Sequence, residues 1–176
     1  DSNALLFNYP IGASPATITK TYQTMLQYLE QQTQAKEIIG YGYSLGSMVQ
    51  GASLEDYPFQ ENVRYLFIKH SPPANMYAGA RDKYCTAAGL GAMLFGWNLS
   101  SVPSSLQLEE QGIHEIVITP KDDPLASLAN ALNVQEFHHK TFFSVPGDHD
   151  IKTLPRQELA ERVNSVFSSE KIEAAL

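Results

Sequence analysis

The chain has 176 residues, 43% of them hydrophobic and 10% aromatic, which is enough apolar side chain to bury one sizeable core in a single folded domain spanning 1–176. Its formal charge of −7 excludes a nucleic-acid surface built on clustered Lys and Arg, and it does not suit an anionic membrane. The longest apolar stretch, residues 87–97, is broken by Gly89, Gly91 and Gly96 and is too short to span a bilayer, and a lone Cys85 excludes an internal disulfide.

The chain starts Asp-Ser-Asn-Ala and reaches apolar residues at once, with no initiator methionine, basic leader or signal-peptide core, so it is expected to be a fragment of something longer. Ala4-Leu5-Leu6-Phe7-Asn8-Tyr9 is a continuous apolar run closed by Pro10 and Gly12, which predicts a buried parallel strand and a turn. Ser14-Pro15 predicts a helix start, with serine as N-cap and proline at the first helical position; Ile18, Tyr22, Met25, Leu26 and Leu29 then recur at helical spacing on one face. A second strand is expected over residues 37–41, followed by a helix carrying Met48, Val49 and Ala52. Further strands are predicted at 63–69, 115–119 and 141–145, and a last helix near Pro155 with Leu159, Val163, Val166 and Phe167 on its apolar face. Alternating strands and helices imply a parallel sheet, here of about five strands, whose first strand should lie at an open edge unless upstream residues or another chain cover it. An insertion over 71–112, rich in Gly and Ala, is read equally well as a closely packed helix pair or as a cap over a site.

Between the second strand and its helix stands Gly42-Tyr43-Ser44-Leu45-Gly46, a G-x-S-x-G motif in the strand–turn–helix setting of a nucleophile elbow. The glycines leave room for a sharp turn that holds the Ser44 hydroxyl clear of the sheet, and the Leu45 amide at the helix start can donate to an oxyanion. A glycine-loop reading of Gly40, Gly42 and Gly46 fits a dinucleotide poorly, because the third glycine is one residue late and no acidic residue follows the next strand. A serine nucleophile needs a base, and the base needs a carboxylate. Of five histidines, His149 alone lies in a short loop directly after a late strand; Asp122 and Asp123 both follow the preceding strand, Asp123 being preferred for its longer reach. The carboxyl ends of parallel strands gather these groups on one edge with Ser44. No His/Cys/Asp cluster has metal-ligand spacing, and no cofactor is expected. The apolar Phe95 and Trp97 of the insertion, with Tyr43, are candidates to line a groove for an acyl chain.

Leu5-Leu6-Phe7-Asn8-Tyr9-Pro10, Tyr22-Gln23, the run 36–50, Trp97-Asn98-Leu99 and Glu115-Ile116-Val117-Ile118 together resemble the chlamydial CHLPS 43 kDa family and the SidB-like group of lipases or esterases among secreted Legionella effectors. The resemblance implies an α/β-hydrolase fold that opens here at its fourth strand, with the upstream strands and the loop carrying a second oxyanion donor absent. It implies Ser44, Asp123 and His149 as triad, and a bacterial protein secreted into a host cell and tied to virulence. Two functions are then in play: a serine hydrolase acting on a small-molecule or lipid ester, or a hydrolase-like fold used as a binding module.

Overall fold

The structure, a computed structural model, describes residues 4–8, 12–32, 35–83, 85–94, 96–126, 128–132, 137–149, 154 and 156–173. Four strands form one sheet: β1 (Glu37–Tyr43), β2 (Arg64–His70), β3 (His114–Pro120) and β4 (Lys140–Val145). They lie in sequence order, β1-β2-β3-β4, and every pair is parallel. Parallel neighbours need crossovers, and helices supply them. The crossovers carry α2 (Leu45–Leu54) between β1 and β2, α3 (Met76–Lys83), α4 (Thr86–Leu94) and α5 (Val102–Glu110) between β2 and β3, and α6 (Leu128–Leu132) between β3 and β4; α1 (Pro15–Gln32) precedes β1 and α7 (Arg156–Glu173) follows β4.

Side-chain alternation along β2 divides the core in two. Tyr65 and Phe67 point into the larger half with Ile18, Tyr22 and Leu26 of α1, Met48, Val49 and Leu54 of α2 and Leu108 of α5. Leu66 and Ile68 point to the other face, with Ile116, Ile118, Val145 and Phe167 of α7. Helices therefore cover both faces, and β2 and β3 are buried almost throughout, as interior parallel strands must be. The start of α1 is set by Ser14, whose hydroxyl accepts the Thr17 amide at 3.2 Å, so the cap read from Ser14-Pro15 is the one formed.

The strand expected over residues 4–9 is not formed across 4–8, so the sheet has four strands among the described residues, not five; Tyr9 and Pro10 fall outside them. A strand exists only as one side of a ladder, and residues 4–8 are not part of the described sheet, whose first strand is β1. Leu6 is 88% exposed, and only Phe7 meets the core, edge-on to Tyr22 at 5.5 Å. Among the described residues the outer strand on this side is β1, where Ile39 and Tyr41 are half exposed while Ile38 and Gly40 are buried. Among the described residues of the insertion there are three helices: α3 and α4 pack on each other, and α5 returns to the core.

Beneath α5 the sheet buries a charged group that the strand patterns did not reveal. Lys69 Nζ lies 2.7 Å from Glu115 Oε1, Lys140 Nζ lies 3.2 Å from Glu115 Oε2, and the side chains of all three are fully buried. Ser105 Oγ bridges them, accepting from Lys69 at 2.9 Å and donating to Glu115 at 3.0 Å. Burial alone would raise the Glu115 pKa, but the two ammonium groups outweigh it and hold the carboxyl below its ordinary value.

Candidate active site

The turn from β1 into α2 is as tight as its glycines allow. A β-carbon on Gly42 would stand 2.7 Å from Ser47 Cα and 2.8 Å from Ser47 N, both backbone atoms, so only glycine fits there. Ser44 follows with φ 50° and ψ −117°, a conformation that L-residues avoid. It is held by its own amide, which donates to the His70 carbonyl at 2.9 Å at the end of β2, and by its carbonyl, which accepts from the Ser47 amide at 3.0 Å and the Ser47 hydroxyl at 2.5 Å. Leu45 opens α2, so its N–H is one of the amides that the helix cannot satisfy itself.

The loops after β3 and β4 are fastened to each other before either reaches the serine. Lys121 N donates to Val145 O at 2.9 Å and Asp122 N to Gly147 O at 3.0 Å, with Gly147 at φ 108° making the bend that a bulkier residue would resist. Asp123 then turns inward. Its Oδ1 accepts the Leu125 amide at 3.0 Å and its Oδ2 lies 2.6 Å from His149 Nδ1. His149 Nε2 lies 2.8 Å from Ser44 Oγ. The carboxylate is fully buried and the imidazole is 28% exposed, an arrangement in which the anion is shielded and the ring can still meet a substrate. Asp122, left open beside Asp123 by the sequence, is exposed and joins this loop pair through its amide alone.

Of the residues singled out for a groove, Phe95 lies outside the described residues, Trp97 is half-buried and packs against the larger core cluster, and Tyr43 donates its hydroxyl to the His149 carbonyl. His70 is fully buried beside the elbow, its Nδ1 2.8 Å from the Tyr41 hydroxyl. Burial pushes the Tyr41 pKa up to about 12, so the hydroxyl keeps its proton and can donate to that nitrogen. Burial, then the neighbouring His149, lowers the His70 pKa against an opposing pull from Asp123. This support around His149 escaped the sequence reading, because Tyr43 and His149 are 106 positions apart and only the sheet brings them together. His114 and His139 meet edge-to-face, ring centroids 5.1 Å apart, at the other end of the strands, away from the serine.

The sequence profile of the Chlamydia CHLPS protein family (DUF818) matches residues 1–163. The chain belongs to the CHLPS family. No curated protein matches it. Among solved structures, this CHLPS chain is similar to an alpha-beta hydrolase from Vibrio vulnificus, with a TM-score of 0.69 at 15% identity over 88% of this chain and 57% of that one. It is also similar to a Pyrococcus furiosus esterase, with a TM-score of 0.58 at 13% identity over 86% of this chain and 60% of that one. A lipase-esterase related protein from Clostridium acetobutylicum gives 0.53 at 14% identity over 90% and 77%. The CHLPS chain therefore has the α/β-hydrolase fold, and it spans less than two thirds of the length of the first two of these proteins. No helix among its described residues is long and apolar enough to cross a membrane.

Proposed function

We propose that this chain is a serine hydrolase acting on carboxylic esters, with Ser44 as nucleophile, His149 as base and Asp123 as the carboxylate that orients it. The observation that carries the reading is the unbroken line of contacts from Asp123 Oδ2 to His149 Nδ1 (2.6 Å) and from His149 Nε2 to Ser44 Oγ (2.8 Å), ending on a serine held in a strained elbow. Ser44 Oγ attacks the ester carbonyl while His149 Nε2 takes its proton, and Asp123 stabilises the imidazolium without accepting that proton. The carbonyl electrons move onto the oxygen, which faces the Leu45 amide; one such donor is worth about 10²- to 10³-fold in rate. His149 then returns the proton to the departing alcohol, leaving an acyl group on Ser44. A water deprotonated by His149 attacks that acyl group, and the acid leaves as Ser44 regains its proton.

Leu90 and Met93, half exposed, and Leu94, 85% exposed, give α4 a bare apolar surface, which favours a lipid or other apolar ester as substrate and a cap role for 71–112. Work inside a host cell, as a secreted bacterial effector, belongs to the same proposal and is tested by locating the protein after infection. The enzymatic reading is tested with a fluorophosphonate probe. Ser44 should be labelled covalently, and Ser44→Ala should abolish both labelling and hydrolysis of p-nitrophenyl esters. Hydrolysis that survives Ser44→Ala, or label carried by another residue, would overturn it.

A further inference from the structure

The loop that carries His149 is held on two sides, and the two attachments differ in kind. Toward β3 it is fastened by main-chain bonds, Lys121 N to Val145 O and Asp122 N to Gly147 O, together with the Asp123 contact to the ring. Toward β1 its main chain is met by the hydroxyl of Tyr43, which donates to the carbonyl of His149. Tyr43 is half-buried and stands between two imidazoles, with its ring centroid 5.2 Å from His70 and 5.2 Å from His149. Behind it His70 is fully buried and fixed, its ring against the Tyr41 hydroxyl and its carbonyl accepting the Ser44 amide. Tyr43 thus has a rigid surface behind it and the base loop in front of it.

Resting on the hydrolase reading, we propose that Tyr43 is a positioning residue that sets where His149 sits relative to Ser44. The Asp123 contact orients the imidazole, but the separation between Nε2 and Ser44 Oγ also depends on where the His149 backbone lies. Tyr43 fixes that backbone through its carbonyl, and Tyr43 is bonded directly to Ser44. Nucleophile and base are therefore placed from the same strand end, one peptide unit apart. A substrate-binding role for Tyr43, the reading its position in the motif first suggests, uses the same ring but leaves a different kinetic signature. A displacement near 1 Å at reacting atoms can cost about 10²-fold in rate, whereas loss of a contact made equally in ground and transition states raises KM alone.

The test is Tyr43→Phe, which keeps the ring and its packing and removes the hydroxyl, with Tyr43→Leu as a second variant that also removes the ring. For p-nitrophenyl butyrate, Tyr43→Phe should lower kcat by about 10- to 100-fold with KM unchanged. Amide hydrogen exchange should quicken at Val145, Gly147, Asp148 and His149 while the melting temperature and exchange elsewhere hold, and Tyr43→Leu should extend both effects. A raised KM with unchanged kcat would overturn the proposal in favour of a substrate contact, and unchanged kcat together with unchanged exchange would overturn it outright. The exchange measurement does not need catalysis. If the wild-type protein were not labelled at Ser44, the hydrolase reading would fail, and exchange at 145–149 would by itself decide whether Tyr43 holds the loop.

Discussion

Gly42 and Ser44 show how narrowly the elbow is specified. A methyl group on Gly42 would collide with backbone atoms of Ser47 and with the Gly46 carbonyl at 2.9 Å, none of which can swing aside as a side chain can. Gly42→Ala should therefore destabilise the protein by about 1–3 kcal/mol, measured by urea unfolding, and should abolish fluorophosphonate labelling by displacing the serine. Under the proposed mechanism Ser44→Ala and His149→Ala should each remove nearly all esterase activity, the double variant should be little worse, and Asp123→Asn should cost less than either, as compared by kcat/KM. A multiplicative loss in the double variant would show that the two residues do not act as a unit. Ser44 and His149 could be named as candidates beforehand because each has a local cue, a glycine-bracketed serine and a histidine in a short loop after a strand, whereas the cue for the carboxylate was shared by Asp122 and Asp123. The Tyr43 and Tyr41–His70 contacts have no such cue. A tyrosine within G-x-S-x-G looks the same whether its hydroxyl meets a substrate, water or a carbonyl 106 residues away.

Strands and helices were legible where the pattern is internal to the element, and less so where it depends on a neighbour. Ser14-Pro15 and the spacing of Ile18, Tyr22 and Leu26 define α1 without reference to anything else, whereas Leu5 and Leu6 are apolar enough for a strand but cannot state whether a partner is present. Glu115 was legible as a strand residue; that β2 and β4 would bring Lys69 and Lys140 to it was not. Glu115→Gln should leave the buried Lys69 ammonium without its carboxylate and Lys140 with Glu109 alone at 3.9 Å, and destabilise the protein by about 3–5 kcal/mol. Because the native Glu115 pKa is lowered, its carboxylate contributes stability that is fully present above the unfolded value of about 4.3 and is lost as pH falls through the native value. The melting temperature of the wild-type protein should thus fall more steeply below about pH 4 than that of Glu115→Gln. Among the described residues β1 is paired on one side only, to β2, and Ile39 there presents an exposed apolar side chain, which favours association with a second copy. Ile39→Lys should reduce self-association by light scattering, and equal scattering from both proteins would place any association elsewhere.

At the scale of the whole molecule, the sheet is laid down in the order in which the chain is read, each strand beside the one before it. Ser44 therefore emerges with the first strand and His149 only after the last, 105 residues later. At synthesis rates of about 5–20 residues per second, that interval is roughly 5–20 s, during which the elbow can fold while its base has yet to be made. Under the proposed mechanism a growing chain would carry a serine with the reactivity of an ordinary alcohol, and activation would come as a single late event when the loop after β4 closes over the sheet edge. Chains stalled on the ribosome near residue 130 should accordingly take up no fluorophosphonate, while chains in which the loop after β4 has left the ribosome should. On the proposed mechanism, the labelled fraction of a translation reaction would then count molecules whose synthesis has carried the loop after β4 clear of the ribosome, and cellular esters would be safe from the elbow serine until then.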